Sequence, residues 1–98
     1  MITSRQRAYL RSLSNTLKAT EQIGKNGITD TLLAQIDESL ERHELLKINI
    51  LETAGISGKL CAGELAEALG ADVVQVIGAK VTLYRPASDP EKRTIELP

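Results

Sequence analysis

The chain has 98 residues, of which 42% are apolar and 26% charged, with a formal net charge of −1; this is the composition of one soluble globular domain, and it excludes a disordered chain. There is no Phe and no Trp, and the only aromatic residues are Tyr9 and Tyr84, too few for a sheet that stacks several bases on aromatic rings. Cys61 is the only cysteine, which excludes an intrachain disulfide and a thiolate metal cluster.

The first ten residues are charged from Arg5 onward and lack the apolar stretch of a signal peptide. Nothing approaches the roughly 20 consecutive apolar residues of a membrane span, so a cytoplasmic protein without membrane contact is expected. Ser4 to Leu17 reads as a helix, with Leu10, Leu13 and Leu17 spaced to form an apolar stripe. Arg7, Arg11 and Lys18 fall within an arc of about 40° beside that stripe. They form either a solvated flank or a basic face. Glu21-Gln22-Ile23 is a short extended piece ending at Gly24, and Thr29 or Asp30 can cap a second helix running to about Arg42, buried through Leu32, Leu33, Ile36 and Leu40. Its outward positions Asp37, Glu38 and Glu41 are acidic.

Leu45 to Leu51 alternates, with Leu46, Ile48 and Ile50 on one face and Lys47 and Asn49 on the other, which predicts a strand with one buried side. Thr53 to Lys59 reads as a loop. Ala62, Leu65, Ala66 and Leu69 mark a third helix closed by Gly70. Val73 to Ile77 and Lys80 to Tyr84 are strands joined by Gly78-Ala79, a pair suited to a type II′ hairpin turn. Residues 87–98 read as a tail beyond a single domain over residues 1–86. The order α-β-α-β-α-β-β predicts an α+β or α/β fold, a small mixed sheet with helices packed on it, in which the β-α-β links join parallel neighbours.

Charge is unevenly distributed along this order. Residues 1–27 carry a balance of +4, residues 28–72 one of −6 and residues 73–98 one of +1. In the basic stretch, Gly24-Lys25-Asn26-Gly27 stands between a strand and a helix start. Glycines permit close backbone approach, helix N-terminal amides favour an anion, and Lys25 adds a charge at the loop tip. This is the physical basis on which the GxxG loop of KH domains clamps a nucleic-acid backbone. A plain turn has the same four residues, and neither a Walker loop nor a dinucleotide fingerprint is present. The three preceding cations bring the phosphate-binding loop level with the plain turn, and both readings stand at this point.

The whole chain resembles the CRM domain (chloroplast RNA splicing and ribosome maturation) in its bacterial single-domain, YhbY-type form. The stretches that carry the resemblance are Arg5-Gln6-Arg7-Ala8-Tyr9-Leu10-Arg11, Gln22-Ile23-Gly24-Lys25-Asn26-Gly27-Ile28, Val74-Gln75-Val76-Ile77-Gly78 and Leu83-Tyr84-Arg85. The resemblance implies a fold like the C-terminal domain of bacterial translation initiation factor three. It also implies RNA as the partner, bound through Gly24, Lys25, Asn26 and Gly27 with Arg7, Arg11 and Lys18, and association with large ribosomal subunit precursors as an assembly factor. Family members often carry a basic residue after the hairpin glycine, where this chain has Ala79. Lys80 and Arg85 are then the candidates on that side.

The remaining polar residues support no reaction. His43 has no partner at metal-ligand spacing and reads as a helix C-terminal cation. Cys61 reads as a packing residue, Glu64 and Glu67 as a solvated face, and Tyr9 and Tyr84 as half-buried anchors. No triad, metal set or general-base pair is visible, so neither an enzyme, a metal, a cofactor nor a small-molecule substrate is expected, and a monomer is. The competing reading is a protein-interaction module whose acidic second-helix face, around Asp37, Glu38 and Glu41, meets a basic ribosomal protein.

Overall fold

In a computed structural model, which describes residues 2–98, the chain folds as α1 (Ser4–Ser14), β1 (Glu21–Ile23), α2 (Asp30–His43), β2 (Leu45–Ile50), α3 (Gly58–Leu69), β3 (Asp72–Ile77) and β4 (Lys80–Tyr84). Met1 lies outside the described residues. The sheet runs β1-β2-β4-β3, with β1 and β2 parallel and both other pairs antiparallel. The fold is α+β. Among the described residues, parallel neighbours form only at β1-α2-β2. Across β2-α3-β3 the hairpin places β4 between the two strands, because β4 pairs with both.

The helices cover opposite faces of this sheet. On one face, α2 and α3 bring Ile36, Leu40, Cys61 and Leu65 onto Ile23, Leu46, Ile48, Ile50, Val81 and Leu83. Each such side chain, taken fully out of water, contributes about 1.5–3 kcal/mol. On the other face, α1 lays Leu10 on Leu45, Val74 and Tyr84. So β2 is buried on both sides at its start. The alternation expected for one buried side holds only from Leu46 onward. Tyr84, read as half-buried, is 4% exposed.

Helix ends follow local hydrogen bonding. Thr3 and Gln6 form a reciprocal capping box that starts α1. The helix stops at Ser14, three residues before the expected Leu17, because the Ser14 and Thr16 hydroxyls turn back onto the Arg11 and Leu13 carbonyls. Lys18 is therefore off the helix, and the expected three-cation arc does not exist. Ser57 caps α3 by accepting the Leu60 amide, so α3 begins at Gly58, inside the stretch read as loop. Gly58 sits against the hairpin: a Cβ there would lie 2.6 Å from the Gly78 carbonyl oxygen. The hairpin turn has two residues, and only Gly78 has a positive φ, +57°, as a type II′ turn requires.

Residues 87–98 are tied down rather than a loose tail. Glu44 closes α2 at φ +66° with its side chain buried, and its carboxylate accepts the amides of Ala87, Thr94 and Ile95 at 2.9, 2.7 and 3.0 Å. Burial pushes this carboxyl up, but the three amides and the Thr94 hydroxyl outweigh it and hold it below the usual carboxylate range. Glu41 takes the Ser88 hydroxyl and amide, with weaker help from the Asp89 amide and the Arg85 guanidinium, and its carboxyl falls to about 2. Ile95 and Leu97 then pack on the α1 side of the core.

Candidate nucleic-acid interface

The Gly24–Gly27 segment is a β-turn closed by the Gly27 amide on the Gly24 carbonyl at 2.9 Å. Gly27 needs its glycine, with φ +64°. Gly24 does not: its φ is ordinary, and a Cβ would make only van der Waals contact at 3.6 Å with Leu51 and Thr53. Lys25 and Asn26 are exposed at the tip. Beside the turn, a groove of about 250 Å³ runs from Gln22 past Thr29 and Thr31 to Gln35. The α2 N-terminus below it is already engaged, since the Thr29 hydroxyl accepts the Leu32 amide and Asp30 occupies the first turn. That carboxylate opposes an anion there, so Lys25 carries the attraction more than the helix dipole does.

Alternation along the strands defines a second part of the surface. Because Ile23, Ile50 and Val81 point into the α2–α3 core, Gln22, Asn49 and Lys80 point to the α1 side. Gln22 pairs in register with Asn49, Asn49 with Lys80, and Lys80 with Ile77. This row crosses all four strands, beyond the stretch that α1 covers. It is polar except for Ile77, which is 65% exposed. Gln22 and Asn49 were not among the sequence candidates, although the alternation of β2 already placed Asn49 with Lys47 on the outward face.

The other candidate cations differ in how free they are. Arg11 and Lys18 are exposed. Arg7 is half-buried and donates from Nε to the Val73 carbonyl at 3.3 Å. Arg85 is committed elsewhere: its guanidinium meets Asp37 at 2.6 Å and the Leu69 carbonyl at 3.0 Å, with the side chain 17% exposed. It links β4 to α2 and α3 and does not face outward with Lys80. The structure thus leaves Lys25 and Lys80 exposed at the end of the sheet where β1 and β2 finish, leaves Arg11 exposed on α1 and Lys18 exposed at the other end of β1, holds Arg7 half-buried on α1, and turns Arg85 away. Lys18 and Lys25 flank β1, about 13 Å of extended chain between Thr20 and Gly24.

Elsewhere the chemistry is sparse. Cys61 is buried, and burial, then Glu64, pushes its thiol up, which suits packing rather than reaction. Among the described residues no group of three or more His, Cys, Asp or Glu is placed to hold a metal ion, and no helix is long and apolar enough to cross a membrane.

The chain is 35% identical over 98 residues to the Bacillus subtilis protein YqeI, named a probable RNA-binding protein, with all of both chains covered. It is 31% identical over 97 residues to a Haemophilus influenzae protein named RNA-binding protein, covering 99% of this chain and 95% of that one. The solution structure of the Staphylococcus aureus protein SAV1595 superposes with a TM-score of 0.77 at 36% identity, over 100% of both chains. Residues 2–85 match the CRS1 / YhbY (CRM) domain, and the chain belongs to that family.

Proposed function

We propose that this protein binds RNA by its backbone, through the Gly24–Gly27 turn and the uncovered row of Gln22, Asn49 and Lys80, with Arg11 and Lys18 as a basic flank. The observation that carries this reading is that the exposed Lys25 of the glycine turn and the polar row Gln22, Asn49 and Lys80 stand at the same end of β1 and β2. The relatives named as RNA-binding proteins support the choice of polyanion. Within that reading the substrate is ribosomal RNA, held on large-subunit precursors while they assemble; this finer assignment rests on family likeness. The protein is cytoplasmic and acts by binding, without catalysis, as a monomer.

Contacts of this kind neutralise phosphates and release counterions, so affinity for a ribosomal RNA fragment falls steeply with salt. Lys25→Glu and Arg11→Glu each weaken binding across unrelated RNA sequences without changing the fold. Anisotropy titrations at several salt concentrations test this. If both variants bind as the parent does while Glu38→Lys abolishes ribosome association, the protein-partner reading replaces this one. Gly27→Asp separates loop geometry from charge: it strains the φ of +64°, adds repulsion, and lowers affinity more than Lys25→Ala.

A further inference from the structure

β1 has three residues against the six of β2, and it pairs only from Ile48 onward. The first half of β2 therefore has no strand on that edge, and the segment after α1 passes over it, joining it through the Thr20 amide on the Lys47 carbonyl at 3.0 Å. The space left is an open cavity of about 410 Å³ walled by Leu13, Leu17, Leu45, Leu46 and Ile95. Its rim holds three basic side chains, Lys18, Lys47 and His43, together with the hydroxyls of Thr16 and Thr20. Lys47 is fixed in place by donating to the Ser14 carbonyl at 2.8 Å.

Resting on the RNA reading above, we propose that this cavity receives a single unpaired nucleotide of the bound RNA. The volume lies within the range of small-ligand sites, about 300–1,000 Å³, and a base offers two apolar faces that a leucine-lined slot can cover. The base sits against Leu13, Leu17 and Leu45, with the His43 imidazole as the one ring at the rim. The Thr20 hydroxyl is within the lining to meet the base edge, and the flanking phosphates meet Lys18. Charge decides between occupants. A neutral apolar segment would leave the exposed Lys18 at the mouth without an anion, whereas every nucleotide brings its own. Lys18 also belongs to the basic flank of the proposed interface, so RNA on that flank passes the mouth of the cavity. A chain that lacks a sheet of stacking aromatics would in this way still distinguish looped or bulged RNA from a perfect duplex.

The test uses five labelled RNA hairpins with the same stem, each closed by a non-nucleotide linker in place of a loop: one fully paired, and four with a single bulged A, C, G or U. The full chain is expected to bind at least one bulged hairpin about tenfold more tightly than the paired one. Leu17→Gln and His43→Ala, both at exposed positions, are expected to bring that hairpin down to the affinity of the paired stem. Two-dimensional NMR spectra verify that both variants are folded. Equal, salt-sensitive binding of all five hairpins would overturn the cavity proposal and leave the RNA reading standing. No binding of any hairpin or of ribosomal RNA would remove both. A preference that survives both substitutions overturns the proposal as well, as would Leu13 and Leu17 methyl signals that ignore the bulged hairpin and move with an acidic peptide.

Discussion

Glu44→Ala tests how the C-terminal segment is held. The carboxylate accepts three amides and the Thr94 hydroxyl from residues 87–95, and its side chain is fully buried. Hydrogen bonds to a charged acceptor are each worth about 1.5–3 kcal/mol, but they do not sum here. Once the segment detaches, its amides bond to water, so the cost is limited to the value of docking it. That value includes the partial burial of Ile95 and Leu97 against Leu10 and Tyr84, and a loss of about 3 kcal/mol is expected. Glu44 also holds φ +66° and ψ −36°, a conformation costly for a side-chain-bearing residue, so Glu44→Gly should be less damaging than Glu44→Ala by about 1 kcal/mol. Urea unfolding gives both differences, and hydrogen exchange at Thr94 and Ile95 reports the detachment. A loss under about 1 kcal/mol, with those amides still protected in Glu44→Ala, would refute the account.

Acid should release the same segment. The Glu44 and Glu41 carboxyls are both held below their ordinary value of 4.5, Glu41 at about 2. Their contribution is thus complete above pH 4.5 and lost as pH falls from there toward 2, which acid titration followed by Ile95 and Leu97 methyl signals would show. Arg85→Ala removes the link from β4 to Asp37 and the Leu69 carbonyl and should cost about 2 kcal/mol in thermal or urea unfolding, while RNA affinity stays unchanged; a folded variant with lost affinity would return Arg85 to the interface. Gly58→Ala puts a Cβ 2.6 Å from the Gly78 oxygen and 3.1 Å from Val76, and should cost about 1–3 kcal/mol.

Much of this fold is legible from periodicity alone. β1, α2, β4 and the Gly78 turn fall where apolar spacing, Thr29 and glycine place them, because in each the local signal and the tertiary packing agree. The misreadings come where they diverge. Leu17 continues a helical spacing, yet Ser14 and Thr16 end the helix with their own hydroxyls. Gly58 looks like loop, but Ser57 caps the helix that begins with it. Arg85 belongs to a motif that carries the family likeness, yet the residues it binds, Asp37 and Leu69, lie 48 and 16 positions away. No local pattern announces such a pair. Glu44 is the extreme case: a single acid after a helix gives no sign that it will accept the backbone of residues 87–95. The polar row was half legible, since strand alternation assigns Asn49 a face, but its alignment with Gln22 and Lys80 depends on strand order.

The same pairing bears on the proposal that a chain with net charge −1 holds a polyanion. The acids of α2 are not a free field: Asp37 and Glu41 meet Arg85, Glu38 meets Arg42 at 2.8 Å, and Glu41 and Glu44 also serve the amides of the C-terminal segment. They also lie at a distance. Glu38 is eight residues into a helix that begins at the glycine turn, about 12 Å along its axis, beyond the screening length of about 8 Å at physiological salt. Asp30, in the first turn of α2, stands at the start of that axis, three residues after Gly27. Asp30→Asn should therefore tighten RNA binding about threefold at physiological ionic strength, and Glu38→Gln should change it by less than about 1.5-fold. Near 0.01 M salt, where screening extends to about 30 Å, both should tighten it. Equal effects of the two substitutions at physiological salt would mean that the RNA lies along α2, not across the turn and the uncovered sheet face, and the placement of the interface would be wrong.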